Sequence, residues 1–221
     1  MAELAKRLQA IYHQRRWVPR RPAIDELVYT ILSQNTSDLN SLRAEAQLKR
    51  RFGTWEELLS ADVAEVELAI RVGGISHVKA ARIKAVLQRV LQSQGCFDLE
   101  VLDSLDLDGA LGYLTNLPGV GPKTAACVLL FALGRPAFPV DTHVFRVAGR
   151  LGLLPPRANL VQAHGLMREQ VPETLRYQFH LNLVLHGRRI CQARRPRCGL
   201  CTLADRCPSY QTYGAADPTG R

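Results

Sequence analysis

Apolar positions recur along this chain at spacings of three and four, and no stretch alternates long enough to form a strand. Ile24, Leu27, Val28, Ile31 and Leu32 make one such stripe, the pattern of a helix with one buried face. It runs into Ser33-Gln34-Asn35-Thr36-Ser37-Asp38, a polar cluster that predicts a helix end, a short turn and a new N-cap at Ser37 or Asp38. Upstream, Met1–Tyr12 predicts a short amphipathic helix. Downstream, Leu39–Arg51 predicts a helix closing at Gly53. Thr54 and Asp62 are each followed three residues on by a glutamate, Glu57 and Glu65, which predicts two capping boxes opening two short helices. The glycine turn Val72-Gly73-Gly74-Ile75 leads into a helix to about Gln92, and Phe97–Ser104 reads as an exposed connection. Further helices are predicted over Asp141–Leu151, Asn159–Gln170 and Glu173–His186, the first of them ended by Gly152 and Pro155. The fold class is all-α.

The stretch between these groups carries the chemistry. Leu117-Pro118-Gly119-Val120-Gly121-Pro122-Lys123 follows a helix expected from about Asp108 to Thr115 and opens an apolar run that ends at Gly134. Proline at the first helical position is favoured because its missing N–H would have had no intrahelical partner. Helix, glycine hairpin and helix together present backbone N–H groups, those of Gly119 and Gly121, as a seat for phosphate. Lys123 then falls in the first turn, where the helix dipole opposes a cation. Such a site favours the neutral amine, which is a nucleophile. Alternatively, the hairpin is an ordinary turn between helices with a solvent-facing lysine. Further along, Val140-Asp141-Thr142 places Asp141 at a helix N-cap.

Totals narrow the class. The chain has 221 residues, is 47% hydrophobic and carries 29 Lys+Arg against 20 Asp+Glu, formally +9. That suits one or two domains with a true core, and the basic surplus favours a polyanion such as nucleic acid. No apolar run approaches the roughly 18 residues of a membrane span, and Met1–Arg21 does not resemble a signal peptide. A cytoplasmic location is expected, with no membrane partner. Arg15, Arg16, Arg20 and Arg21 read as a solvated basic loop.

Cys96 and Cys127 stand alone. Cys191, Cys198, Cys201 and Cys207 are spaced C-x6-C-x2-C-x5-C. In a basic chain without a secretion signal, disulfides are disfavoured. Four thiolates this close suit a tetrahedral zinc or an iron–sulfur cluster, and spacing alone leaves both open. The single C-x2-C pair is unlike the paired arrangement usual for zinc. Arg194, Arg195 and Arg197 ride on the loop between the first two cysteines and are placed to hold phosphates or to offset an anionic centre.

Two segments, Leu117–Ala125 (LPGVGPKTA) and Val140–Val147 (VDTHVFRV), together with the cysteine spacing, resemble the endonuclease III family of helix-hairpin-helix DNA glycosylases over about Ile24–Cys207. The resemblance implies a two-lobed fold. A six-helix barrel would cover 22–135, with the helix-hairpin-helix at about 108–134. A discontinuous iron–sulfur domain would comprise 1–21 and 136–211, followed by a flexible tail over 212–221, with a cleft between the lobes. It implies Lys123 as nucleophile, Asp141 as its carboxylate partner, and a [4Fe–4S] cluster on Cys191, Cys198, Cys201 and Cys207. The family's gap-filling glutamine aligns with Asn35, with Gln34 beside it. The family's apolar wedge aligns with Ile75, for which an anchor on the core is the alternative. The implied activity is a monomeric, nucleoid-associated DNA glycosylase and abasic-site lyase that removes oxidised pyrimidines from damaged duplex DNA. The rivals are a pyrimidine-dimer or mismatch glycosylase on a related frame, and a non-catalytic DNA-binding or redox iron–sulfur protein.

Overall fold

A computed structural model describes residues 1–214. Its regular structure among the described residues is helical. In chain order the α-helices are α1 Ala2–Tyr12, α2 Ala23–Leu32, α3 Asp38–Arg51, α4 Trp55–Ser60, α5 Val63–Ile70, α6 Ser76–Gln94, α7 Leu107–Thr115, α8 Pro122–Phe131, α9 Thr142–Arg150, α10 Leu160–Gln170, α11 Glu173–Arg189 and α12 Tyr210–Tyr213. None of these helices is long and apolar enough to cross a membrane.

The chain divides into two compact units. One is Val18–Arg135; the other joins Met1–Trp17 to the described chain from Pro136 on. In the first, the hairpin unit, α2 packs against α3, α6 and α8, and α5 packs along α6. Leu27, Ile31, Leu32, Ile83, Leu87, Val128 and Leu129 are all but fully buried there, which is the outcome the apolar stripes call for. Residues 18–21 join this unit for a physical reason. The Arg20 guanidinium lies 3.9 Å from the Phe131 ring centroid and that of Arg21 3.8 Å from Tyr29. Arg21 also donates twice to Glu45, at 2.6 and 2.8 Å. The expectation of a solvated loop therefore fails for Arg21, which is half-buried, while Arg15, Arg16 and Arg20 are exposed.

In the second, the cysteine unit, α1 and α9 both pack on α11. Leu8, Val144, Val147, Met167, Phe179 and Leu183 form its core, with Phe138 tilted on Phe179. Arg176 is buried and donates to the carbonyls of Val171 and Arg168, at 3.0 and 2.7 Å, and to that of Pro136.

Several local expectations need correction. Thr54 caps α4 through Glu57 N at 3.2 Å, but Glu57 turns back to Gly53 N rather than to Thr54. Asp62 precedes α5 without any side-chain cap. The segment 97–104 is not simply exposed: Glu100–Ser104 forms a 3₁₀ turn that buries Leu102, next to buried Leu99. Thr212 and Tyr213, expected to begin a tail, lie in or against the last turn α12, and the remainder of that tail from 215 lies outside the described residues.

Candidate active site and cysteine centre

The hairpin is built as its glycines predict. Gly119 has φ 71°, a left-handed conformation that favours glycine, and a Cβ there would fall 2.3 Å from Arg82 Nε, so any other residue would be strained and would have to displace that side chain. Gly121 is different. Its φ is −94° and a Cβ would meet nothing within 4 Å. Its value is open space in front of the helix start, where a phosphate could approach the backbone closely. Pro122 and Lys123 are the first two residues of α8, so their N–H positions lie at the end of the helix that lacks intrahelical partners. Lys123 is half-buried, and the rest of α8 from Thr124 to Phe131 is buried. The lysine is therefore the last accessible residue before the helix enters the core.

Asp141 caps α9. Its Oδ1 accepts from Val144 N at 2.7 Å, which satisfies one orphan donor and holds the carboxylate in a defined orientation. It is half-buried. Lys123 belongs to the hairpin unit and Asp141 to the cysteine unit.

The polar turn and the glycine loop both lie in the hairpin unit. Gln34 is half-buried, accepts from Arg82, and its Nε2 is 3.5 Å from Thr124 Oγ1, the residue after Lys123. Asn35 is exposed with φ 52°, and Ile75 is 49% exposed with φ 48°. A left-handed conformation is rare for a β-branched residue and costs on the order of 1–3 kcal/mol. The exposure of Ile75 removes the reading in which it anchors the loop on the core.

Cys191, Cys198, Cys201 and Cys207 all line one largely apolar pocket, together with Val147, Leu151 and Ile190. The cavity they line is small, about 30 Å³, and opens partly to solvent. Among the described residues no three Cys, His, Asp or Glu side chains converge to hold a single metal ion. Four thiols lining one pocket are a donor set that suits a tetrahedral zinc or an iron–sulfur cluster. Burial pushes the Cys201 thiol up to about 11, and the neighbouring Cys191, Cys207 and Cys198 push in the same direction. Burial also raises Cys207. Thiolates gathered in such a pocket need a strongly cationic centre to share their charge. Arg150 Nη1 lies 3.3 Å from Cys191 Sγ, and His186 Nε2 lies 3.5 Å from Cys201 Sγ. Arg194, Arg195 and Arg197 stand exposed on the loop between Cys191 and Cys198, with Arg195 at φ 52°.

Sequence reading did not single out Arg82, Arg150 or Lys79. For Lys79 a signal existed: it falls in the buried stripe Ser76, Lys79, Ala80, Ile83 of α6. Arg82 and Arg150 act through tertiary contacts that no local pattern announces.

The chain is 34% identical over 188 residues to endonuclease III of Sulfolobus acidocaldarius, covering 83% of this chain and 81% of that one. It is 33% identical over 195 residues to endonuclease III of Thermotoga maritima, covering 88% and 87%. Plant relatives are longer; the match to protein ROS1C of Oryza sativa subsp. japonica, at 34% identity, covers 73% of this chain and 10% of that protein, and the Arabidopsis thaliana relative with 38% identity is covered over 66% of its length. The fold matches a non-covalent endonuclease III–DNA complex with a TM-score of 0.81 at 24% identity, covering 97% of this chain and 96% of that one. Residues 28–172 match the family model described as HhH-GPD superfamily base excision DNA repair protein. The hairpin with its lysine, the capped aspartate and these matches together place the chain in the HhH-GPD superfamily, beside the endonuclease III proteins.

Proposed function

We propose that this protein is a bifunctional DNA glycosylase and abasic-site lyase of base excision repair, acting on oxidised pyrimidines in duplex DNA. The observation that carries the reading is Lys123. It is an amine at the open start of α8, directly behind a glycine hairpin, in a chain of this superfamily. The Gly119–Gly121 hairpin and the exposed Arg194, Arg195 and Arg197 hold phosphates, contacts that position the duplex without reading sequence. The target nucleotide leaves the stack, since its sugar carbon is out of reach inside the duplex. Ile75 enters the stack as an apolar wedge and the Gln34–Asn35 turn occupies the gap.

Asp141 Oδ1 is held by the cap, so Oδ2 serves the reaction. Ionised, it stabilises positive charge developing on the sugar. The Lys123 Nζ lone pair forms a bond to C1′ as the C1′–N bond to the base breaks, and the base leaves with the electron pair and takes up the proton the amine sheds. The C1′–O4′ bond then breaks, O4′ keeps its electron pair and takes the second amine proton, and an imine is left at C1′. Loss of a C2′ proton then expels the 3′ phosphate by β-elimination. Lysine in this role gives both base release and strand cleavage, whereas a side chain that only activates water would release the base and leave the strand whole.

The four cysteines of the apolar pocket would hold a [4Fe–4S] cluster, which supplies cross-linking of the loop between Cys191 and Cys207 and sets the arginines on it. A panel of duplexes, each carrying one oxidised pyrimidine, one mismatch or one pyrimidine dimer, tests the proposal. Release of the oxidised bases with matching strand cleavage, both abolished by Lys123→Gln, is the expected result. Base release without cleavage, or release confined to mismatches or dimers, would overturn it.

A further inference from the structure

Helix α6 carries two cations one turn apart, Lys79 and Arg82, and both turn inward to neighbouring loops. Lys79 is 2% exposed. Its Nζ donates to Leu32 O at 2.7 Å, to Thr36 Oγ1 at 2.6 Å and to Gly73 O at 2.9 Å. An ammonium has three donors and no acceptor, and these three neutral oxygens match them. A buried charge persists only where it is hydrogen-bonded in this way. The oxygens come from two separate segments, the end of α2 with its polar turn and the glycine loop before α6. The Thr36 hydroxyl accepts from Lys79 and donates to Gly73 O, which closes the ring. Gly73 is itself buried, and a Cβ there would lie 3.2 Å from that of Ala44, so the loop backbone sits tight against α3.

These two tied segments end in the two exposed left-handed residues, Asn35 and Ile75. Such strain persists only where the surroundings over-determine the backbone. One turn further along α6, Arg82 donates to Gln34 and packs over Gly119, so the same helix also ties the polar turn to the hairpin. We infer that Lys79 is a positioning residue for base extrusion: it locks the polar turn and the glycine loop into one rigid piece, so that Asn35 and Ile75 enter the duplex together. The inference rests on the reading above that these two loops meet DNA.

The experiment follows extrusion directly, by stopped-flow fluorescence of a 2-aminopurine next to the target base, in Ile75→Ala, Lys79→Met, the double variant and Thr36→Val. Ile75→Ala and Lys79→Met are each expected to slow extrusion by about tenfold or more on a fully stacked duplex. On a bulged duplex whose target is already unstacked, turnover by Lys79→Met should stay within about threefold of wild type. Lys79→Met added to Ile75→Ala should cost no more than about twofold further, because the two act through one step. Wild-type extrusion by Lys79→Met beside a slow Ile75→Ala overturns the positioning role and leaves the DNA-contact reading standing. Wild-type extrusion by Ile75→Ala overturns both. Fully additive losses in the double variant mean that Lys79 merely supports the fold, and also overturn it. If Lys79→Met does not fold, Thr36→Val decides on the same scale: slowed extrusion supports the inference and unchanged extrusion sinks it.

Discussion

The hairpin segment and the cysteine segment reach a defined geometry by opposite routes. From Leu107 to Phe131 the backbone is specified by its own residues. Asp106 caps α7 through Gly109 N at 2.7 Å, Gly119 takes φ 71° without the strain a side chain would bring, Pro122 starts α8, and α8 is buried from Thr124 on. The lysine inherits its position from helix physics. From Cys191 to Cys207 there are only two 3₁₀ turns, residues that are exposed or half-exposed save Leu203, and an apolar pocket lined by thiols. Little of that segment's geometry is written in caps, turns or buried stripes. A reactive group can thus be preorganised by local sequence, while a cysteine-rich segment has no such local specification.

The contrast can be broken at four points. Cys201→Ser should have the largest effect. Removing one of four ligands forfeits binding energy that is also folding energy, and the variant is expected to lose its colour, its iron and a large part of its thermal stability; iron analysis and a melting curve check this. A brown variant with full iron would remove Cys201 from the ligand set.

Next comes Asp141→Asn. Asparagine caps a helix as well as aspartate does, so the melting temperature should hold. Base release should fall on the order of 10²-fold or more in single turnover, the range for losing a preorganised group that stabilises transition-state charge. Turnover near wild type would remove the carboxylate from the chemistry.

The two hairpin glycines sharpen the comparison, because they should fail differently. Gly119→Ala forces an L side chain into a left-handed site against Arg82 and should cost about 1–3 kcal/mol of stability. Gly121→Ala meets no steric conflict and should leave the melt unchanged, while DNA affinity drops because a methyl group stands where phosphate approaches. Equal melts for both would contradict the assigned strain at Gly119.

The smallest effect is expected in the hairpin unit's buried charge. Glu26 is 2% exposed; burial raises its pKa above the ordinary 4.5, against the opposing pull of Arg21 and Arg20. A raised carboxyl contributes fully below its unfolded pKa, and that contribution is lost as pH rises through the folded value. Glu26→Gln should therefore gain stability at pH 7, by about 1 kcal/mol or less since Arg21 keeps Glu45. The gain should vanish below pH 4.5, where wild type is protonated too. A loss at pH 7 would mean that the Arg21 pair outweighs burial.

Much of this was legible in the sequence wherever the cause is local. The stripe in α2, the proline and glycines of the hairpin, the N-caps at Ser37 and Asp141 and the four-cysteine spacing each act within a few residues of themselves. What was not legible is tertiary. Arg21 looks solvated until Tyr29 and Glu45 are brought to it. Lys79 looks like a surface lysine until Leu32, Thr36 and Gly73 converge on it. The left-handed backbone of Ile75 follows from how its loop is held at both ends. Asp62 shows the converse failure, a capping pattern whose side chain makes no cap.

The central claim is that one amine, at the start of α8, becomes bonded to the sugar. Borohydride reduction of the protein mixed with abasic-site duplex, followed by peptide mapping of the trapped adduct, tests it most directly. The account predicts a single adduct on the peptide containing Lys123 and none in Lys123→Gln. An adduct on any other residue, or trapping that survives Lys123→Gln, would contradict it.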